Sequence, residues 1–139
     1  MVRSVFAILA GIAVLTATSF AVEAVVNPLL LRFFPGALPG PEALSSNLWV
    51  KTLTAGYGLL CVAAGGYTAA WLARRMPVRH AAAMGIVQAG LTILAMFSPV
   101  GNHASPLQWI LTAIVSIPAG ALGGVVYKPR NAGARAAAV

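Results

Sequence analysis

Apolar residues fall in four long runs along this chain, separated by stretches that carry its prolines and most of its basic residues. The runs cover residues 5–26, 48–72, 81–100 and 107–127. Each is close to the roughly 20 residues that an α-helix needs to cross the hydrocarbon core of a bilayer. The pattern therefore predicts an all-α fold: an integral membrane four-helix bundle of two antiparallel transmembrane hairpins, forming a single domain over residues 1–139.

The connection between the first two runs, residues 27–47, is the longest, and its prolines predict an outer loop that is not one continuous helix. These prolines are Pro28, Pro35, Pro39 and Pro41. Within the connection, the segment Leu29–Phe34 is apolar around Arg32. We interpret it either as a short segment lying in the membrane interface or as a plain connection that covers the end of the bundle.

Small and polar residues recur every three or four positions within each run, which places them on one face of each predicted helix. The series are Thr16, Ser19, Glu23 and Asn27 in the first run; Lys51, Thr54, Gly58, Cys61, Gly65 and Thr68 in the second; Gly85, Gln88 and Thr92 in the third; and Thr112, Ser116, Gly120 and Gly124 in the fourth. Membrane helices pack through such faces, because small residues let backbones approach closely. We interpret the glycines as packing positions, namely Gly58, Gly65, Gly85, Gly120 and Gly124, with a polar pathway as the alternative.

The composition identifies lipid as the solvent of these runs. Hydrophobic residues make up 60% of the chain and charged residues only 8%, whereas soluble proteins carry roughly 25% charged residues. The net charge of +7 does not indicate nucleic-acid binding, because acids are scarce and the bases cluster at the ends of the predicted helices. Cys61 is the only cysteine, so no disulfide can form within the chain.

The basic residues also predict an orientation. Seven of them fall on one side of the predicted bundle: Arg3, Arg74, Arg75, Arg79, Lys128, Arg130 and Arg135. Only Arg32 and Lys51 fall near the other side. Because short loops rich in Lys and Arg stay in the cytoplasm, we predict that both termini and the middle loop are cytoplasmic.

Glu23 and Lys51 are the only charged residues within the predicted spanning runs. Each lies about one turn from the outer end of its run, so we predict that they form an ion pair. Pairing would reduce the cost of a charge in the membrane, which is roughly 2.5–3.5 kcal/mol at its centre and less near the interface. Ser19, Asn27 and Thr54 complete this predicted polar site, which is either a structural clamp or a site for an ion or substrate.

No sequence pattern indicates a metal centre or a known catalytic motif. His80 and His103 fall on opposite sides of the predicted membrane, and neither has Cys or carboxylate ligands nearby. The sequence contains no phosphate loop, dinucleotide fingerprint or nucleophile motif, and it identifies no cofactor.

Three stretches resemble small four-helix bacterial inner-membrane proteins whose activity is uncharacterised. They are Arg79-His80-Ala81-Ala82-Ala83-Met84-Gly85, Pro106-Leu107-Gln108-Trp109 and Pro118-Ala119-Gly120-Ala121-Leu122-Gly123-Gly124. The resemblance covers most of the chain and implies a four-helix protein of the bacterial inner membrane, with no activity attached to it.

These features favour a structural or accessory membrane subunit that associates through its small-residue faces, with itself or within a larger membrane complex. The alternative is a small oligomeric transporter or channel that uses Glu23 and Lys51. An enzyme ranks third, since it would have to work with these two residues, tyrosines and hydroxyls alone.

Overall fold

Five α-helices make up the part of the chain that the structure, a computed structural model, describes, which is residues 2–73, 76–98 and 105–127. The helices are α1 (Val2–Phe33), α2 (Pro41–Ser46), α3 (Leu48–Ala73), α4 (Pro77–Met96) and α5 (Pro106–Val126). Of these, α1, α3, α4 and α5 are long and apolar enough to cross a membrane. The prediction of an all-helical chain with four helices of spanning length is confirmed.

The first helix is longer than the sequence predicted. It continues past residue 26 to Phe33, with Pro28 inside it, so the first part of the predicted outer loop 27–47 is helical. A proline removes one backbone donor, but membrane helices tolerate it when neighbouring groups satisfy the freed carbonyl. Residues 29–33 are therefore the end of α1 and not part of a separate connection. The helix ends before Pro35, because the residue preceding a proline avoids helical backbone angles.

Prolines also mark where the later helices begin. Pro41, Pro77 and Pro106 stand at the starts of α2, α4 and α5, where the missing N–H costs no hydrogen bond. As a result α4 covers Pro77–Met96, four residues earlier than the predicted run 81–100. Ser105 caps α5, because its hydroxyl accepts a hydrogen bond from the backbone N–H of Gln108 at 3.3 Å.

The bundle is built around α3 and α4, each of which packs against all three other spanning helices. Helices α1 and α5 lie on opposite sides of this pair and hardly touch each other. The end of α1 and the starts of α3 and α5 lie together: the rings of Phe34 and Trp49 are 5.5 Å apart, and Leu48 and Leu107 line one cavity. We call this end of the bundle the α2 end, since α2 packs against α3.

Small side chains fill the interior and large apolar side chains cover the outside. The buried apolar residues include seven alanines, which are Ala7, Ala69, Ala70, Ala73, Ala81, Ala113 and Ala119. By contrast, Phe20, Leu60 and Leu94 are 67–71% exposed. Water would disfavour such a surface, whereas lipid removes the penalty and leaves close backbone packing as the main attraction between helices.

Glycines bring the helix backbones into direct contact away from the α2 end. A Cβ on Gly85 would lie 2.8 Å from the Ser116 carbonyl oxygen, and one on Gly66 would overlap the Gly120 carbonyl. Added Cβ atoms at Gly65, Gly120 and Gly124 would also collide with neighbouring helices, as would those at Gly11 and Gly123. Gly58 differs from the other predicted packing glycines, because nothing lies within 4 Å of its Cβ position.

The close contact at Gly85 predicts a specific loss of stability. Gly85→Ala should lower the thermal unfolding midpoint of the detergent-solubilised protein, because the methyl group forces α4 away from α5 at a cost of about 1–3 kcal/mol. Gly90→Ala is the matched control on the same helix, since open space surrounds that Cβ position. Equal unfolding midpoints for the two variants would contradict the tight α4–α5 contact.

Candidate functional site

A cavity of about 620 Å³ lies between the spanning helices at the α2 end. Helices α3 and α5 form most of its wall, and α1 and α4 close it behind. Half of the lining residues carry polar side chains: Ser19, Lys51, Thr52, Thr54, Gln88, Ser105, Gln108, Thr112 and Ser116. The apolar remainder includes Leu59, Val62 and Val115. We call this space the Lys51 cavity, because Lys51 is the only charged residue among the described residues that line it.

Lys51 occupies the first turn of α3 and is partly buried. No carboxylate of residues 2–73, 76–98 or 105–127 pairs with its ammonium group. The cavity therefore presents an uncompensated positive charge next to apolar walls. A charge in such surroundings attracts a partner of opposite sign, because the low dielectric strengthens the interaction.

Three of the six hydroxyl groups in the described lining donate their hydrogen to their own helix. Thr52 donates to the Leu48 carbonyl at 2.9 Å, and Thr112 and Ser116 donate to the carbonyls four residues before them at 2.8 and 2.7 Å. A hydroxyl has only one hydrogen to donate, so these groups can offer a ligand only lone pairs.

The free donors of the described lining are three nitrogen groups and the hydroxyls of Ser19, Thr54 and Ser105. The Gln108 amide has no partner within the described ranges. The Gln88 amide donates one hydrogen to Thr92 at 3.5 Å and keeps a second. Together with Lys51, these amides give the lining a set of N–H donors around an apolar space.

Glu23 does not pair with Lys51, contrary to the sequence-based prediction. It lines a second, smaller cavity of about 210 Å³ between α1 and α4, beside Ser19 and Gln88. The cause is the length of α1: about 15 Å of helix separates Glu23 from Phe33 at ~1.5 Å per residue. Lys51 lies in the first turn of α3, near the end of the bundle, whereas Glu23 lies deeper along α1 and faces Gln88 of α4.

The five residues of the predicted polar site are thus divided. Ser19, Lys51 and Thr54 line the larger cavity, and Ser19 also lines the smaller one with Glu23. Thr54 accepts a hydrogen bond from the Tyr57 hydroxyl at 3.4 Å. Asn27 lines neither cavity.

Gln88 was not included in the polar site predicted from the sequence. It lines both cavities, as do Leu15 and Ser19, so these three residues form the partition between them. The helical spacing had placed Gln88 on the polar face of its run, but nothing in the spacing showed that this face meets Ser19. Gln108 and Ser105 were also absent from that site, and a lone amide at the start of an apolar run was the only signal for them.

The described residues contain no group of three or more His, Cys, Asp or Glu side chains that could hold a metal ion. The Nδ1–H group of His80 donates to the Met76 carbonyl at 3.2 Å. His103 lies outside the described residues, as do five of the basic residues on which the predicted orientation rests: Arg74, Arg75, Lys128, Arg130 and Arg135.

The separation of Glu23 from Lys51 predicts that their contributions to stability are independent. In a double-mutant cycle of Glu23→Gln and Lys51→Gln, we expect a coupling free energy below about 0.5 kcal/mol, as for residues without shared contacts. Unfolding in detergent, followed by circular dichroism, provides the four values. A coupling above about 1 kcal/mol would show that the two charges pair after all.

No protein-family model matches this chain, and the searches of curated proteins and of solved structures find no significant match. The chemistry of the two cavities is the main indication of function.

Proposed function

We propose that this chain is a small multi-pass membrane protein that binds a small molecule in the Lys51 cavity. The observation that carries the proposal is an unpaired lysine inside a space of about 620 Å³. Ligand sites in proteins typically enclose about 300–1,000 Å³ and combine apolar walls with a few polar groups. The Lys51 cavity has this size and this composition.

The proposed arrangement in the membrane is two antiparallel hairpins with the α2 end outside. The order of contacts supports it: Gly85 contacts Ser116, and Gly124 contacts Val78. Residue numbers therefore increase along α5 as they decrease along α4, so these two helices are antiparallel. The sequence predicts that seven of the nine basic residues lie on the side opposite the α2 end, which favours cytoplasmic termini. With the resemblance to bacterial inner-membrane proteins, this supports a location in the cytoplasmic membrane of a bacterium.

The shape of the cavity favours binding over open conduction. Its deepest lining residues include Val62 and Ser116. One turn further, Gly66 and Gly120 bring α3 and α5 into backbone contact. Within the described residues the cavity is therefore closed on that side, and a ligand enters and leaves from the α2 end or from between the helices. A transporter with this site would have to separate these glycine contacts to open the other side.

An accessory subunit is a second candidate, but the helix face that supports it differs from the one predicted from the sequence. Most of the glycines that the sequence assigned to association pack inside the chain. Exposed alanines instead lie four positions apart on α1, at Ala13, Ala17 and Ala21. This helix packs against only two spanning helices, so its face is open to a second copy or a partner helix.

Filling the Lys51 cavity tests the binding proposal. Gly58 lines the cavity with open space at its Cβ position, so Gly58→Leu should occupy the site without disturbing helix packing. Gly56→Leu is the matched control, because Gly56 is equally open but does not line the cavity. We expect wild type and Gly56→Leu, extracted with native lipid in polymer discs, to carry the same small molecule in mass spectrometry. Gly58→Leu should bind it at least about tenfold more weakly. A wild-type protein that carries none, or equal occupancy in all three proteins, would contradict the proposal.

The α1 face is tested by the intact mass of the gently extracted assembly. If the face mediates association, Ala21→Leu should reduce the assembly to single chains, because the larger side chain keeps the helices apart. Ala64→Leu, at an exposed alanine of α3, should leave the mass unchanged. A wild-type mass equal to one chain would exclude the accessory role, and a foreign chain in the assembly would identify the partner.

A further inference from the structure

We infer that the ligand of the Lys51 cavity is an anionic amphiphile, with a carboxylate or phosphate group at Lys51 and one hydrocarbon chain along the cavity wall. The inference rests on the proposed function and names the class of molecule that the site takes. It depends on three properties of the cavity: its charge, its donors and its length.

The charge of the lining has one sign. Within residues 2–73, 76–98 and 105–127, Lys51 is the only ionisable residue that lines the cavity, and Glu23 faces the smaller cavity on the other side of the partition. The remaining acid of the chain, Glu42, is exposed on α2 and lines neither cavity. An ammonium group without a carboxylate neighbour favours an anion and disfavours a cation.

The donors reinforce this preference. The amides of Gln88 and Gln108 offer N–H groups, whereas the hydroxyls of Thr52, Thr112 and Ser116 donate to their own helices. An anionic head group carries several acceptor oxygens, so it can accept hydrogen bonds from Lys51, from both amides and from the hydroxyls of Ser19, Thr54 and Ser105. A neutral alcohol would satisfy fewer of these groups.

The length and openness of the cavity fit one hydrocarbon chain. From Lys51 to Val62 the wall of α3 extends about 17 Å at ~1.5 Å per residue, close to half of the ~30 Å hydrocarbon core of a bilayer. Leu107 and Leu111 line the cavity and are also 65% and 52% exposed on the bundle surface. We propose that a hydrocarbon chain enters the cavity beside these leucines of α5.

The experiment compares four probes that share a twelve-carbon chain: dodecanoate, dodecyl phosphate, dodecanol and dodecyltrimethylammonium. Full-length protein in discs of neutral phosphatidylcholine is titrated with each probe, and the thermal unfolding midpoint gives the affinity. We expect both anions to raise the midpoint and the cation to leave it unchanged. Stabilisation by the phosphate alone would identify a phospholipid as the source, and stabilisation by the carboxylate alone would identify a free fatty acid.

Variants link this preference to Lys51. Lys51→Gln should weaken anion binding at least about tenfold, and Lys51→Arg should retain it. Arg32→Gln is the control, because Arg32 is a cation of α1 that does not line the cavity. If Lys51→Gln unfolds, Gln108→Leu removes a neutral donor instead and should weaken the anions more than dodecanol.

The outcomes separate the inference from the proposed function. Equal stabilisation by all four probes, abolished by Gly58→Leu, would overturn the anionic ligand but keep the binding cavity. An anion effect that persists in Lys51→Gln would overturn the role of Lys51. No stabilisation by any probe, together with wild-type protein that carries no molecule after extraction, would overturn the proposed function itself.

Discussion

The close approach of backbones at glycine is the constraint on which the rest of this structure depends. Lipid supplies no hydrophobic attraction between helices, so they must gain dispersion and weak polar contacts by coming very near. Gly66 against Gly120 and Gly85 against Ser116 achieve this for the α3–α5 and α4–α5 contacts. Towards the α2 end the facing residues include Leu59, Leu111 and Val115, which are too large for such contact. The helices are tightly joined along one part of their length and separated along another, and the Lys51 cavity is the space that results.

The same arrangement explains why polar residues inside this membrane bundle remain available. Where the backbones touch, small residues leave no space for a ligand. Where they separate, the hydroxyls of Thr52, Thr112 and Ser116 donate to their own helices, and the longer side chains of Lys51 and Gln108 have no partner in the described residues. A bundle with uniform close packing would have needed to pair or exclude a lysine at this position. Separation of the helices thus leaves room for the unpaired ammonium group of Lys51 and for a ligand beside it.

The sequence predicted what depends on hydropathy and helical spacing. Four apolar runs of spanning length gave the four long helices, and every predicted packing glycine except Gly58 lies at a tight contact. The tight contacts at Gly11, Gly66 and Gly123 were not predicted. The end of α1 could not be predicted from its prolines, because lipid and neighbouring helices allow Pro28 inside a helix where water would disfavour it. That one error placed Glu23 too near the end of the bundle and produced the predicted ion pair. The role of Gln88 could not be predicted either, since the partition depends on which faces meet across α1 and α4, and spacing along one helix does not contain that information.

The length of α1 also has a mechanical consequence. Its 32 residues extend about 48 Å, far more than the ~30 Å of a hydrocarbon core. In a bilayer the helix must tilt or project, and the tilt that relieves this mismatch depends on membrane thickness. Helix α1 is held by α3 and α4 but hardly by α5, so a change in tilt acts on the seam between α1 and α4. That seam contains the Glu23 cavity. A change in the tilt of α1 would therefore alter the geometry of the Glu23 cavity and of the Ser19–Gln88 partition.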